Sequence, residues 1–158
     1  MTGKTECTVT IARPCADVFD YFLNPDQYVA KGSPEVESVV RSPEGPTRPG
    51  TTFLFRHIGR PRETRSRFTA VVPDREIRFD GEVGPLRPTC LLTFAPTAGG
   101  TKVTLQADPN PIGPLKVLSP LIRRKGERLW AERLQRSKVA LESPAGSASS
   151  EVEIRHSS

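Results

Sequence analysis

The chain has 158 residues, a formal net charge of +5 at neutral pH and a hydrophobic fraction of 35%. This length suits one domain that buries roughly two-thirds of its unfolded surface, so neither a disulfide framework nor a structural metal is needed to build a core. No run approaches about 18 apolar residues and no apolar N-terminal segment occurs, so we expect neither a membrane-spanning helix nor a secretory signal.

The first predicted elements are a strand and a short helix. Apolar residues alternate with threonines from Cys7 to Ile11, which is typical of a half-buried strand. Pro14 suits the first turn of a helix, and an apolar stripe continues it to Leu23. Asn24-Pro25 ends this helix, and a second short helical turn is expected at residues 26–30.

The middle of the chain predicts strands alone. The first segment is a modest strand, the later ones show the period-two alternation of a strand, and loops rich in proline or glycine join them. In the 62–72 segment this alternation places Thr64, Ser66, Phe68, Ala70 and Val72 on one face. Sequential strands with short loops favour an antiparallel meander. The segments are 36–41, 51–58, 62–72, 76–80, 90–94 and 103–107.

One long helix is predicted last, from Ser119 to Glu142, with Ser119 as its N-cap and Pro120 in its first turn. Residues 143–158 are Ser/Ala-rich without a core pattern, so we expect a disordered tail after a single domain at 1–142. This order of elements predicts an α+β fold in which a curved antiparallel sheet wraps around the C-terminal helix.

Five segments together resemble the polyketide cyclase/dehydrase branch of the START/Bet v 1-like (SRPBCC) superfamily over residues 8–142. They are ARPCADVFDYFLNPDQY, the Pro-Gly-Thr-x-Phe run at 49–53, VVPDREIRFDG, FAPTAGGTKVTL and LWAERLQRSKVALE. Each is weak alone, but their order and spacing together are fairly specific. The resemblance implies a helix-grip fold with two short helices after the first strand, and it adds cyclization or dehydration of a polyketide-like compound to the candidate functions.

The inward face of the predicted sheet mixes bulky and small side chains. Small residues facing a helix indicate either close packing or a cavity, and we predict an apolar cavity between the sheet and the C-terminal helix. A ligand there is expected to be hydrophobic, whether lipid-like, aromatic or polyketide-like. The predicted lining residues are Phe53, Phe55, His57, Thr64, Ser66, Phe68, Phe79, Cys90, Leu92, Leu118, Ile122, Trp130, Tyr21 and Tyr28.

His57 is the candidate catalytic residue because the other histidine, His156, lies in the predicted tail. A histidine side chain suits proton transfer near neutral pH. The alternative for His57 is a solvated side chain beside the Gly-Arg-Pro turn. Ordinary packing remains the alternative for Tyr21, Tyr28 and Trp130. No GxSxG, HExxH, CxxC or GxGxxG motif occurs, and the three cysteines lack metal-ligand spacing. We therefore expect no cofactor, no metal, and free thiols in a reducing, cytoplasmic setting.

Three functions remain open from the sequence. The first is a carrier or sensor of a hydrophobic small molecule, acting as a monomer or homodimer. The second is a polyketide cyclase or dehydratase. The third is an interaction module that uses an arginine-rich hairpin around residues 56–67, although nucleic acid is not favoured because aromatic side chains are not interleaved with these arginines.

Overall fold

A computed structural model describes residues 5–26, 36–59 and 62–143. Two α-helices and a short 3-10 helix accompany the strands in these ranges. The helices are α1 (Cys15–Leu23), the 3-10 helix (Gly113–Leu118) and α2 (Ser119–Glu142). The strands are β1 (Thr5–Ile11), β2 (Val36–Ser42), β3 (Thr52–His57), β4 (Glu63–Val72), β5 (Glu76–Glu82), β6 (Thr89–Thr97) and β7 (Gly100–Asp108).

The strands form one seven-stranded sheet in the order β1-β7-β6-β5-β4-β3-β2. All neighbouring pairs are antiparallel. Strands β2 to β7 form a meander, and its last strand, β7, pairs with the first strand of the chain, β1. The predicted α+β helix-grip architecture is confirmed, with a strand and helix first, a meander next and one long helix last. The second short helical turn expected at residues 26–30 stays a prediction, because residues 27–35 lie outside the described part of the chain.

The strand register collects apolar side chains on one face, which we call the inner face. Leu105 pairs with Cys7 on β1 and with Leu92 on β6, and Leu92 pairs in turn with Ile77 on β5. Leu105, Leu92 and Ile77 are all buried in the core. Because side chains on directly paired residues lie on the same face of a sheet, these rows build a continuous apolar surface.

A β-bulge in β4 changes which of its residues face inward. The register shifts between Phe68 and Ala70, so that Val71 pairs with Ile77 and packs on the core. The sequence prediction that Ala70 and Val72 share the face of Phe68 is therefore wrong. Ala70 pairs with the exposed Arg78, and Val72 is 41% exposed. An inserted residue reverses the alternation beyond it, which a strict period of two does not anticipate.

The C-terminal half of α2 is fixed to the start of the domain. Leu134 and Ser137 are its buried residues, and Leu141 packs on the core from the same side. The Arg13 guanidinium donates to the Leu141 carbonyl at 2.9 Å, and the Ala12 backbone N–H donates to the Glu142 carboxylate at 2.7 Å. These contacts hold this half of α2 against the end of β1.

The N-terminal boundary of α2 lies at the predicted residue, but the capping differs. Leu118 occupies the cap position, and Ser119 is already helical. The Ser119 hydroxyl instead donates to the Lys116 carbonyl at 2.6 Å and closes the preceding 3-10 turn. The predicted division at residue 142 and the disordered tail remain predictions, because residues 144–158 lie outside the described part of the chain.

Candidate functional site

A row of aromatic rings crosses the inner face from β3 to α2. The ring centroids of Phe53 and Phe68 are 5.1 Å apart, and those of Phe68 and Phe79 are 5.6 Å apart. The row continues from Phe79 to Trp130 on α2 at 6.3 Å. These separations lie within the range of favourable aromatic contacts. The row therefore connects the sheet to the helix. Its two end residues, Phe53 and Trp130, are 77 positions apart in the sequence.

A guanidinium lies over the ring at each end of this aromatic row. The Arg41 guanidinium carbon is 5.3 Å from the Phe53 ring centroid, and that of Arg133 is 5.1 Å from the Trp130 centroid. Both distances are within the reach of a cation–π interaction. The aromatic row thus ends at a guanidinium on the β2 side and at another on the α2 side.

Burial along the inner face falls from the centre toward the β3–β4 hairpin. Phe53 and Phe68 are buried, as are Cys90 and Leu92 on the neighbouring strands. Phe55, Thr64, Ser66 and Phe79 are half-buried. Phe55 pairs with Thr64, and Ser66 pairs with Phe53, so these predicted lining residues do lie together. Two hydroxyls therefore adjoin two rings at the less buried end of the face.

The N-terminal half of α2 leaves space on its inward side. Gly126 lies one turn before Trp130 and two turns before buried Leu134, so the three share one side of the helix. A Cβ built on Gly126 meets no neighbouring heavy atom within 4 Å, apart from atoms of the adjoining residues and the helix's own backbone. Ile122 is half-buried one turn earlier, while Leu118 is 43% exposed. The helix and the sheet are thus packed closely at one end of α2 and less closely at the other.

His57 lies at the end of β3, where the inner face meets the hairpin turn. Its Nε2 is 2.9 Å from the Thr64 Oγ1, and its ring stacks on Phe55 at 6.3 Å with an interplanar angle of 11°. The His57 backbone N–H donates to the Arg62 carbonyl at 2.7 Å. His57 therefore has a fixed orientation with the ring directed along the hairpin toward a hydroxyl.

An open recess of about 560 Å³ adjoins His57 at this end of the sheet. Its walls carry both signs of charge, and two of the lining residues, Arg56 and Glu63, form an ion pair of 3.4 Å. A smaller depression of about 170 Å³ lies among polar side chains such as Arg78, Asp80 and Gln106, and the predicted site residue Cys90 also lines it. The first recess adjoins the predicted site residue His57 on the hairpin. It is lined by Glu37, Arg56, His57, Arg62 and Glu63.

Tyr21 lies between α1 and α2. It is buried, its ring contacts Phe22 at 5.2 Å, and its hydroxyl hydrogen-bonds to Ser137. Burial raises the pKa of Tyr21, and the Ser137 hydrogen bond partly opposes this. The structure thus places Tyr21 at a helix–helix contact. Tyr28, which was grouped with it, lies outside the described residues.

Cys90 is the thiol of the inner face whose pKa departs most from its ordinary value. Burial is the main cause that raises the pKa of Cys90 to about 12, with Arg133 acting in the opposite direction. The thiol is therefore protonated and weakly nucleophilic near neutral pH. Across the described ranges no group of three or more His, Cys, Asp or Glu side chains is arranged to hold a metal ion.

Two residues that bear on the site were missed by the sequence prediction. Gly126 is one, and the signal for it was a glycine inside an otherwise strongly helical segment. Arg41 is the other. Its side chain is only 10% exposed, and its guanidinium makes 2.6 and 3.1 Å contacts to the Asp26 carboxylate and donates to the Asn24 side chain at 2.7 Å. Arg41 thereby ties β2, beside the aromatic row, to the segment that follows α1.

Residues 2–142 match the sequence profile of a family described as polyketide cyclase/dehydrase and lipid transport. The chain belongs to this family. The resemblance inferred from the five sequence segments is thereby confirmed. No curated protein sequence matches the chain.

Solved structures support the same fold for this member of the polyketide cyclase/dehydrase family. The di-domain ARO/CYC StfQ from the steffimycin biosynthetic pathway is similar with a TM-score of 0.72 and 18% identity, covering 90% of this chain and 51% of that chain. TTHA0849 from Thermus thermophilus is similar with a TM-score of 0.68 and 17% identity, covering 85% and 94%. DynU16, from the dynemicin biosynthetic locus, has a TM-score of 0.66 and 16% identity, covering 90% and 48%. The chain spans about half the length of StfQ and of DynU16, and at these identities the likeness shows the fold.

None of the helices described for this polyketide cyclase/dehydrase family member is both long and apolar enough to cross a membrane. Even α2, with 24 residues, carries charged side chains through most of its length.

Proposed function

We propose that this protein binds a hydrophobic small molecule between the inner face of the sheet and the N-terminal half of α2. The observation that carries the proposal is the space in front of Gly126, next to the aromatic row that ends at Trp130. An apolar surface left uncovered beside an unfilled space costs stability unless a ligand occupies it. The family's description, which includes lipid transport, supports the same class of function.

The chemistry of the surrounding residues defines the kind of ligand. Phe68, Phe79 and Trp130 offer rings to an apolar or planar aromatic body. Polar groups stand toward the hairpin end, where Thr64 contacts His57 at 2.9 Å. A ligand with an apolar body and a polar group at one end would match both parts. The binding residues we propose are Phe53, Phe55, His57, Thr64, Ser66, Phe68, Phe79, Cys90, Leu92, Leu118, Ile122 and Trp130.

Native mass spectrometry of the full chain tests this proposal. We expect adducts of one molecule per chain with members of a panel of fatty acids, fused-ring phenols and polyketide-like aromatics, and none with sugars of similar mass. The matched variant Gly126→Leu fills the space with an apolar side chain and is expected to lose these adducts while remaining folded. Failure of every hydrophobic class to bind at ligand excess would overturn the proposal.

A second candidate function is cyclization or dehydration of a polyketide-like or aromatic precursor. The observation in its favour is the fixed His57 ring beside the Thr64 hydroxyl at the end of the inner face. A histidine in this position is suited to take a proton from a bound substrate. A substrate whose turnover survives unchanged in His57→Ala would rule this mechanism out, and Thr64→Val separates the effect of orienting His57 from that of removing it.

The third function considered, interaction through the arginine-rich hairpin, has weaker support. Arg56 pairs with Glu63, and Arg65 lies 4.0 Å from Glu82. These acids offset part of the positive charge of the outer face, so this surface attracts anions less than its arginine count suggests. Three free cysteines are compatible with the cytoplasmic setting that we retain as part of the proposal.

A further inference from the structure

A surface of mixed apolar and basic character lies at the start of α2 and borders the candidate site only at Leu118. Val117 is 82% exposed and Leu121 is 63% exposed, and Leu118 adds to the same apolar area. We call this surface, formed by Val117, Leu118, Leu121, Arg124, Lys125 and Arg128, the α2 patch. An isolated exposed leucine needs no explanation, but three adjacent exposed aliphatic side chains beside three cations indicate a contact surface.

Helical periodicity gathers the four patch residues that belong to α2 on one side of this helix. Leu121, Arg124, Lys125 and Arg128 are spaced i, i+3, i+4 and i+7, so they form one stripe. This stripe is about half a turn away from the side on which Gly126 faces inward. Leu118 is shared with the proposed ligand site and lies at the border of the two surfaces. The other patch residues lie apart from that site, and none of the variants proposed below changes Leu118.

The charge of this region is mostly of one sign. Residues 109–128 contain five lysines and arginines and one acid, Glu127. On the outer face of the sheet, by contrast, arginines stand beside acids, as Arg78 does with Glu76 at 2.8 Å. An excess of positive charge thus lies where the aliphatic side chains are exposed.

We propose that the α2 patch docks this protein on a bilayer surface that carries anionic head groups. Val117, Leu118 and Leu121 would enter the boundary between head groups and acyl chains. The cations at 124, 125 and 128 would extend to the lipid phosphates, as lysine and arginine side chains do at membrane interfaces. A docked protein lies along the membrane and does not span it.

Other partners fit these residues less well. A nucleic acid would leave the aliphatic side chains without a role, because single strands are bound through aromatic stacking and cations. A second copy of the chain related by two-fold symmetry would bring two positive patches together. An anionic bilayer satisfies the charge and the aliphatic side chains at once.

Vesicle co-sedimentation of the full chain tests the inference. Wild type is expected to bind phosphatidylcholine vesicles that contain about one-third phosphatidylserine, and to bind pure phosphatidylcholine vesicles far more weakly. The variant R124Q/K125Q/R128Q is expected to bind the anionic vesicles roughly a hundredfold more weakly, at about fivefold for each charge removed. The variant V117Q/L121Q, which keeps every charge, is expected to lose about tenfold or more.

A matched control removes the same charge elsewhere. R65Q/R67Q/R78Q, on the outer face of the sheet, lowers the net charge of +5 by three, as the α2 variant does, and is expected to bind vesicles nearly as wild type. Circular dichroism of all variants verifies folding, since every changed side chain is exposed.

Three results would overturn the inference. Equal losses in the α2 variant and the outer-face control would mean general charge attraction. Full binding by V117Q/L121Q would mean that the aliphatic side chains do not enter the bilayer. Tighter binding to DNA or RNA than to vesicles, or loss of a dimer in the α2 variant by light scattering, would assign the patch to another partner. None of these results depends on whether the inner face binds a ligand.

Discussion

The ring of Trp130 lies 6.3 Å from the ring of Phe79, centroid to centroid, at an interplanar angle of 58°. This contact joins α2 to the inner face at the point where close packing gives way to the space beside Gly126. Because Trp130 is the single tryptophan of the chain, its fluorescence reports on that point alone.

Substitutions of core residues and of lining residues on the inner face should differ in how far they lower the free energy of unfolding. Phe68→Ala is expected to lower the free energy of unfolding by about 3 to 5 kcal/mol, because it leaves a cavity in a buried site. Phe55→Ala is expected to cost about 1 to 2 kcal/mol, since Phe55 is only half-buried, and to weaken ligand binding. Urea unfolding measures both. Equal costs would favour the alternative of a tightly closed core.

Substitution of Gly126 should separate helix stability from filling of the space. Gly126→Ala is expected to stabilise the protein by up to about 1 kcal/mol through helix propensity, with little effect on ligand binding. Gly126→Leu is expected to keep this gain and to abolish binding, because its side chain occupies the space. Thermal unfolding and ligand titration of the pair provide the measurement. A clear loss of stability in Gly126→Leu would show that no such space exists.

Arg41 should be a large contributor to stability despite its charge. Arg41→Met is expected to cost about 2 to 4 kcal/mol, because it leaves the mostly buried Asp26 carboxylate without its partner. The double variant Arg41→Met/Asp26→Asn is expected to recover part of the loss in urea unfolding.

The matched surface pair provides the control for Arg41. Arg65 and Glu82 are 4.0 Å apart and more than half exposed, so Arg65→Met is expected to change stability by less than about 1 kcal/mol. An Arg41→Met variant as stable as Arg65→Met would show that the Asp26 contact contributes little.

Acid should weaken the attachment of α2 to β1. The Lys138 hydrogen bond first, and then the Ala12 backbone N–H, hold the pKa of Glu142 below its ordinary value of 4.5. A lowered folded-state pKa contributes stability that is present above pH 4.5 and is lost as the pH falls through the folded-state pKa. Glu142→Gln is therefore expected to melt at a lower temperature than wild type near neutral pH, with a difference that closes in acid.

Glu132→Gln removes the same charge from an exposed position of α2 and serves as the control. It is expected to leave the melting temperature nearly unchanged across this pH range. A Glu142→Gln variant with the same pH dependence as wild type would contradict the assigned role of the carboxylate.

The thiols should react in an order set by burial. With the pKa of Cys90 raised to about 12 from 9.0, its thiolate fraction is about a thousandfold below that of an ordinary cysteine. In a native aromatic-disulfide assay at mildly alkaline pH, Cys90 is expected to react last, after Cys7 and Cys15, so Cys90→Ala should lose only the slowest phase. Loss of the fastest phase in Cys90→Ala would contradict this order.

The fold was largely predictable because its signals are local. Alternation from Cys7 to Ile11 and the break at Asn24-Pro25 are visible within a few residues, and the structure has elements in both places. The bulge at Thr69 was not predictable, since one inserted residue changes the facing of Val71 and Val72 without altering the composition of β4. The local pattern therefore predicted where strands and helices lie better than it predicted which face of the sheet each side chain points to.

The candidate site was less predictable because its contacts join distant parts of the chain. Arg41 reads as an ordinary polar position of a strand until Asp26 is found beside it. The space at Gly126 depends on how far the N-terminal half of α2 stands from the sheet, a tertiary distance that no spacing in the sequence encodes. The period-two alternation did place Phe55, His57 and Thr64 on one face, where Phe55 pairs with Thr64 and His57 contacts it. Alternate residues of paired strands point to the same face of a sheet.

Energy transfer from Trp130 to a bound hydrophobic fluorophore, anilinonaphthalene sulfonate, tests the central claim most directly. We predict saturable transfer with one site per chain in wild type, competition by the ligands that form adducts, and loss of the signal in Gly126→Leu, with Gly126→Ala unaffected. Near-ultraviolet circular dichroism confirms that the variants keep their packing. Transfer of equal strength in Gly126→Leu, or its complete absence in wild type, would contradict a ligand site between the inner face and α2.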